Sequence, residues 1–505
     1  MSFFKKYNGK PLKTMGNQEK EVKPLFPLIE DNIDYICKAF YNTDDLKMRQ
    51  VTFRGKQGKL IYLDTIADTK EIQRSFLIPL SEAGESQSIE ELITSVELHI
   101  SASLKEAVSQ MLSGCCALFF EGGTEIYLFN TLQVNVRTPD EPENEKVVRG
   151  SHEGFVEKLN VNLNLVRERI KNRQLTIRYF ELGWESKTNL AVIYISDLAD
   201  PSLVEEVQKR IESISTDMVF SPGYIEECLE DSPFSPFPQI LFTERPDRLE
   251  AHLMEGRIAV MSEGTSDVSI VPVSFFAFFQ TPDDFNIRFY AGSVFRLLRL
   301  FSFWGALTLP PIYIAVVGFH YEIIPQDVVT IVKSSIENIP FPPLIEAIVM
   351  AITIELIREA GIRLPTPIGQ TIGIVGGLII GDAVVNAGIV SNVMIIVIAL
   401  TAIMSFTIPS YEMGNTIRIL SLPIMIGAAT LGFVGIVFSL MIIIMHMCKL
   451  ESFGSPYLSP VAPVHFKDLK DSFVRFPVWL LNSRPKNAQA QNTLKQKASR
   501  EWKKE

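Results

Sequence analysis

The sequence predicts an α/β soluble N-terminal region of two related subdomains, then an all-α polytopic membrane domain and a short cytosolic tail. Three observations lead there. Composition divides the 505 residues: 1–285 mix charged and apolar groups, 300–447 are mostly Ile, Val, Leu, Phe, Ala and Gly, and 448–505 are polar, ending in NTLKQKASREWKKE. A strand–helix pattern and a hairpin pattern each occur twice, in the same order, within the first part. One apolar stretch, GQTIGIVGGLIIGDAVVNAG (369–388), carries glycine at every fourth position together with Asp382. The expected division is a polar lead (1–24), a first subdomain (25–137), a linker (138–150), a second subdomain (151–285), a transmembrane domain (286–447) and the tail (448–505).

The lead, MSFFKKYNGKPLKTMGNQEKEVKP, has no apolar h-region and reads as a flexible segment rather than a signal peptide. The net charge of −10 sits mainly in the soluble part and argues against nucleic acid as a partner. Five cysteines, Cys37, Cys115, Cys116, Cys228 and Cys448, form no CxxC. They read as buried, reduced thiols of a cytosolic compartment.

The first repeated pattern is IYLDTIAD (61–68) and IYISDLAD (193–200). Each is an apolar strand, Ala-Asp, then a helical pattern, and Asp68 and Asp200 suit the N-cap, where a carboxylate accepts from free backbone N–H groups. The second is GCCALFFEGGTEIYLFN (114–130) and GRIAVMSEGTSDVSIVP (256–272), each strand, Glu-Gly turn, strand. Amphipathic helices are expected before the hairpins, around 102–112 and 247–255. The acidic TPDEPENEK (138–146) reads as the linker. There is no Gly-rich phosphate loop and no HExxH, the histidines are scattered, and EGG at 121–123 reads as a hairpin turn. The soluble part is therefore expected to sense or assemble rather than to catalyse, with no cofactor and no metal.

A bilayer core of about 30 Å needs roughly 20 apolar residues per helix. Candidate spans are 300–319, 343–357, 368–390, 391–409 and 418–447, the last long enough for one tilted helix or two short crossings. Pro310, Pro311 and Pro423 mark expected kinks. Arg288, Arg296 and Arg299 precede the first span and place the soluble part in the cytoplasm. The acidic loop 320–340 is then outside and REAGIR (358–363) inside. Lys449, Lys467, Lys470 and Arg475 put the tail inside, which requires an even number of crossings, four or six.

Gly369, Gly373, Gly377 and Gly381 form a slowly drifting stripe on one helix face, where a second helix backbone can approach closely. Another face carries Thr371, Val375, Leu378, Asp382 and Asn386, polar toward its ends and apolar in its middle. An ionisable group there faces protein or water rather than lipid. Two readings stand: several copies of this helix line an ion path with Val375 and Leu378 as its apolar constriction, or Asp382 solvates a helix end. Two further membrane acids, Glu346 and Glu355, are nine residues apart and project from nearly opposite faces. Structural roles are favoured for both, Glu346 at a helix N-terminus and Glu355 paired with Arg358.

IELIREAGIRLPTPIGQTIGIVGGLIIGDAVVNAGIVS (354–391) closely resembles the signature of the A subunits of bacterial spore germinant receptors, the GerA family. RGSHEGFVEKLNVNLNLVRERI (149–170), ERPDRLEAHLMEGRIAVMSEGT (244–265), SFGSPYLSPVAP (452–463) and DLKDSFVRFP (468–477) resemble further family blocks. The resemblance covers most of 149–477, and 1–148 carry less of it. The family more often has Gly-Pro-Arg-Glu-Gly-Phe where this chain has Gly150 to Phe155, and Gly-Thr-Pro where Gly264-Thr265-Ser266 stands. It usually has an acid at the position of Ala351, so conduction here is expected to differ if that acid serves ions in relatives.

The resemblance implies a membrane-lipid-embedded subunit of the spore inner membrane, acting with a transporter-like B subunit and a lipoprotein C subunit. It implies a homo-oligomer, a pentamer, forming a nutrient-gated channel for monovalent cations, with the nutrient pocket in the B subunit. A channel of this kind that amplifies ion release without direct nutrient control is the alternative. A secondary transporter ranks lower because the spans show no convincing repeat, and an enzyme ranks last.

Overall fold

The computed structural model describes residues 23–82, 89, 97–133, 141–219, 221–336 and 339–496, without the side chains of 328, 330, 331, 366, 367, 370–372, 375 and 378–380. Most of the expected lead and the first part of the expected linker lie outside these residues. The chain forms two compact units. The first holds the described residues up to 133 with Leu163–Ile177, and the second holds 141–162 and everything from Arg178 onward.

The first unit opens with α1 (Ile29–Ala39), then β1 (Leu46–Phe53) and β2 (Lys56–Leu63) as an antiparallel hairpin. Asp68 caps α2 (Thr69–Ile72), its carboxylate accepting from the amides of Lys70 and Glu71. After α3 (Ile78–Glu82) come β3 (Leu98–Ser101), α4 (Leu104–Met111), β4 (Cys115–Phe120) and β5 (Ile126–Asn130). The sheet order is β1-β2-β4-β5-β3, antiparallel between the paired strands. Because side chains alternate along a strand, Ile61, Leu63, Ala117 and Phe119 pack against α1 and α4. Leu60, Tyr62, Cys116 and Leu118 pack the other face with Ile72, Phe76 and Leu80.

The second unit repeats this plan. Following α5 (Leu159–Arg169), which straddles the division, come β6 (Leu175–Leu182), β7 (Thr188–Ile195), α6 (Pro201–Glu212), α7 (Pro222–Leu229) and β8 (Leu241–Thr243). Next are α8 (Pro246–Leu253), β9 (Ile258–Ser262) and β10 (Val268–Val271). The sheet order is β6-β7-β9-β10-β8, the same as in the first sheet once strands are numbered from each start. Asp200 caps α6 through the Ser202 amide, as Asp68 caps α2. A further echo between the units is structural only. Asn32 exchanges two hydrogen bonds with the backbone of Phe26, at 2.8 and 2.9 Å. Asn162 does the same with Val156, at 2.8 and 2.6 Å.

Three expectations change. The described part of the linker is not a free connector: Glu145 accepts from the Thr243 hydroxyl and pairs with Arg248, and the Asn144 amide donates to Glu244. The tail is not a separate appendage either. Phe453 joins the core of the second sheet with Leu190, Val192 and Val260, and Tyr457 is fully buried beside Phe237, Phe275 and Phe278. Burying each such side chain is worth roughly 1.5–3 kcal/mol, enough to hold residues 452–457 on the unit. The cysteine expectation also changes. All five are free, but Cys116 alone among them is buried, while Cys228 and Cys448 are exposed.

After α9 (Asp283–Asn286) the second unit becomes helical: α10 (Phe289–Phe319), α11 (Gln326–Ile336), α12 (Pro343–Arg363), α13 (Thr366–Asn386), α14 (Asn392–Phe406), α15 (Tyr411–Leu431) and α16 (Phe433–Lys449). Among the described residues, α10 and α15 are long and apolar enough to cross a membrane, and α14 and α16 are shorter apolar helices. The loop 320–340 contains α11, a helix its acidic composition hid. Pro310 and Pro311 lie inside α10 and Pro423 inside α15, and both helices run through them. The stretch 418–447 divides into two helices at Gly432, whose φ of +61° favours glycine. The resulting α15–α16 hairpin is tight: a Cβ on Gly435 would collide with the carbonyl of Gly427. This small-residue contact lies away from the glycine stripe singled out in the sequence.

Candidate functional site

The helix α13 carries the expected pore face. It begins with Pro367 in its first turn and its neighbour in the bundle is α12. Thr371, Val375, Leu378, Asp382 and Asn386 share one face by helical spacing. The side chains of Thr371, Val375 and Leu378 lie outside the described residues, whereas Asp382 and Asn386 are exposed. Of the stripe, Gly369 meets another helix within the chain, since a Cβ there would stand 2.7 Å from the Gly361 carbonyl of α12. At Gly373, Gly377 and Gly381 an added Cβ meets nothing within 4 Å. Ile374, on the same helix, is 72% exposed. Most of the stripe therefore faces open space in a single chain.

The two acids of α12 have separate surroundings. Glu346 is buried in the first turn, and its Oε2 accepts from the Ser391 amide at 2.8 Å. The Ser391 hydroxyl caps α14 at Met394 and lies 3.2 Å from the Tyr313 hydroxyl of α10. Glu346 thus ties the start of α12 to the start of α14, where Ser391 also meets Tyr313 of α10. Glu355 is half exposed, pairs with Arg358 and reaches Arg418 of α15 at 3.4 Å.

A second constellation joins the α/β part of this unit to its helices. The Asp284 carboxylate, fully buried, accepts from Arg296 Nε at 3.2 Å and from Arg299 Nη1 at 2.9 Å. Arg296 Nη1 donates to Asp471 of the tail at 2.8 Å. The approach is close enough that a Cβ on Gly292 would sit 2.7 Å from the Asp284 carbonyl. Burial pushes the Asp471 carboxyl up, and Arg296 opposes that rise. Nearby, the Thr416 hydroxyl of α15 donates to the Pro236 carbonyl at 2.5 Å. Ser235 and His446 of α16 are 2.8 Å apart, with the His446 ring stacked near Phe237. The segment before α10, the loop 235–237 and the tail therefore grip α10, α15 and α16. The sequence marked Arg296 and Arg299 only as charges that orient a span. Asp471 stood in a recognised block, but nothing local pairs it with a residue 175 positions away.

Two α/β sheets of one strand order, the second held by buried ion pairs to a bundle of apolar helices, mark a duplicated α/β plan followed by a helical domain with two candidate membrane spans. The sequence profile described as Bacillus/Clostridium GerA spore germination protein matches residues 34–487, and the chain belongs to that family. Spore germination protein B1 of Bacillus subtilis is 39% identical over 477 residues, covering 93% of this chain and 99% of that protein. An uncharacterised membrane protein of the same organism, YfkQ, is 38% identical over 475 residues, 93% of each chain. The crystal structure of the N-terminal domain of the A subunit of the Bacillus megaterium spore germinant receptor GerK3 is 26% identical. It covers 51% of this chain and 99% of that one, with a TM-score of 0.40.

Proposed function

We propose that this chain is an A-type subunit of a multi-subunit germinant receptor in the spore inner membrane. Several copies, five by family resemblance, bring α13 together around a path for monovalent cations. Val375 and Leu378 close the path when the receptor rests, and Thr371, Asp382 and Asn386 hydrate ions on either side. An apolar ring excludes ions because an ion sheds water there with nothing to replace it. Nutrient binding belongs to a transporter-like B subunit, a lipoprotein C subunit completes the receptor, and the contacts of Asp284, Arg296 and Asp471 pass the change to α10.

The observation that carries this reading is the uncovered face of α13. Gly373, Gly377, Asp382 and Asn386 stand open in one chain, an arrangement that a ring of copies converts into a packed, water-lined helix. Potassium release from purified spores tests it, with subunit levels checked by immunoblot. Val375→Ala or Leu378→Ser leaks potassium before nutrient is added, and Asp382→Asn slows the triggered flux. Tight, normally responding spores for all three variants at normal protein level would move the path off α13.

A further inference from the structure

The helical bundle holds a cavity of about 200 Å³ between α10, α12, α14 and α15. Most of its wall is apolar, with Ile398, Phe406, Leu422 and Met425 along it. At one end stand Glu355, Arg358 and Arg418, two guanidiniums against one carboxylate, which leaves one positive charge in excess. Arg358 Nε is buried with no hydrogen-bond partner among the described residues. Arg418 spends its donors on the Gly414 carbonyl, Asn415 and Glu355 at 3.1, 2.9 and 3.4 Å, the last too long to be strong. A buried, unfilled guanidinium donor costs free energy until an acceptor reaches it.

We propose that this cavity binds an anionic phospholipid. The phosphate sits on Arg358 and Arg418, and the first part of one acyl chain enters the apolar slot. Three features select this ligand. The fork of a guanidinium matches the paired oxygens of a phosphate. An apolar cavity of about 150 Å³ accepts a benzene-sized guest, so this one takes part of a chain rather than a whole lipid. The cavity is also open at its side, because Ile352, Phe406 and Leu422 are exposed, and the rest of the lipid remains outside the bundle.

The arginine end lies on the side of the second α/β sheet, since Thr416, two residues before Arg418, bonds the Pro236 carbonyl. That is the headgroup level of the cytoplasmic leaflet if the bundle spans a membrane, so the site rests on the membrane reading above. Occupied, the lipid bridges α12, which carries α13, to α15, which the α/β module grips.

Native mass spectrometry of the full-length chain, released from detergent with equal phosphatidylglycerol and phosphatidylcholine, tests this. Wild type retains phosphatidylglycerol preferentially, by about fivefold for each arginine contributing. Arg418→Gln reduces that preference, and Ala402→Met, which fills the slot without touching charge, reduces binding of both lipids. Should Arg418→Gln fail to fold, Ala402→Met decides. Equal retention of the two lipids by wild type overturns the proposal. So does inorganic phosphate binding that excludes lipid, which would make the site one for a small anion. No lipid on an intact oligomer overturns it as well, because a second copy would then cover the mouth. Fractionation of the chain away from cell membranes would instead overturn the membrane reading on which the site rests.

Discussion

Replacing Arg167 by alanine strips the guanidinium from a wholly buried pair in the first unit. Arg167 Nε and Nη2 donate to the two oxygens of Asp45 at 3.1 and 3.0 Å, and both side chains have no exposure. The hydroxyls of Thr43 and Thr65 add bonds of 2.5 and 2.8 Å to the same carboxylate. In the variant those hydroxyls remain, but the charge has no counterion. Breaking such a pair from one side costs about 3–5 kcal/mol. Cys116 reports the loss: it is buried in β4, and burial pushes its thiol up to about 12, so it reacts with a thiol reagent only when the unit opens. At about 1.4 kcal/mol per factor of ten, modification of Cys116 speeds up by roughly two to three and a half powers of ten. The assay is alkylation of the full-length protein in detergent near neutral pH, with Cys116 followed by peptide mass spectrometry. A rate within threefold of wild type would mean that the two threonines suffice to hold the buried Asp45 carboxylate.

Asp284→Ala leaves Arg296 buried and facing Asp471 alone, and Arg299 with Thr281 and the Phe279 carbonyl; it lowers the amount of full-length protein in membranes by immunoblot, whereas Asp283→Ala does not. Gly435→Ala drives a Cβ into the Gly427 carbonyl and lowers the thermal midpoint of the single chain. Gly377→Leu, where nothing lies within 4 Å, leaves that midpoint unchanged and abolishes the cross-linked oligomer. Burial, reinforced by Glu412 and Glu230, pushes the Glu226 carboxyl up to about 9 from 4.5. An acid raised in the folded state contributes stability that is full below about 4.5 and is lost as pH rises to about 9. Glu226→Gln therefore flattens the decline in thermal midpoint between pH 5 and pH 9, and an unchanged decline would assign it to other groups.

Local signals were legible wherever one short segment carried them. Asp68 and Asp200 were readable as caps because capping needs a carboxylate and the next three residues. The hairpins 114–130 and 256–272 were readable because their alternation and their turns lie within one stretch. The Glu355–Arg358 pair was readable from one helical turn. What stayed hidden was non-local or neutral in composition. The equality of strand order in the two sheets depends on β3 and β8 moving to the edge beside β5 and β10, which no local pattern records. Phe453 and Tyr457 lie among polar residues, and their burial depends on partners such as Val260 and Phe275, more than 180 positions earlier. The tight α15–α16 contact is hidden in the sequence because Gly427 and Gly435 stand eight apart on either side of a turn, outside any spaced stripe. On α13 the pattern of five residues was legible, but a pore face needs neighbours that one chain does not supply.

As proposed, α13 of this chain, in several copies, lines a cation path closed by Val375 and Leu378. Planar-bilayer recording of the purified full-length protein carrying Val375→Ala tests it most directly, because a widened ring conducts without its receptor partners. The expected result is a potassium conductance that exceeds the chloride conductance and is reduced when Asp382→Asn is added to the same chain. An electrically silent Val375→Ala protein that cross-links as a normal oligomer would contradict it.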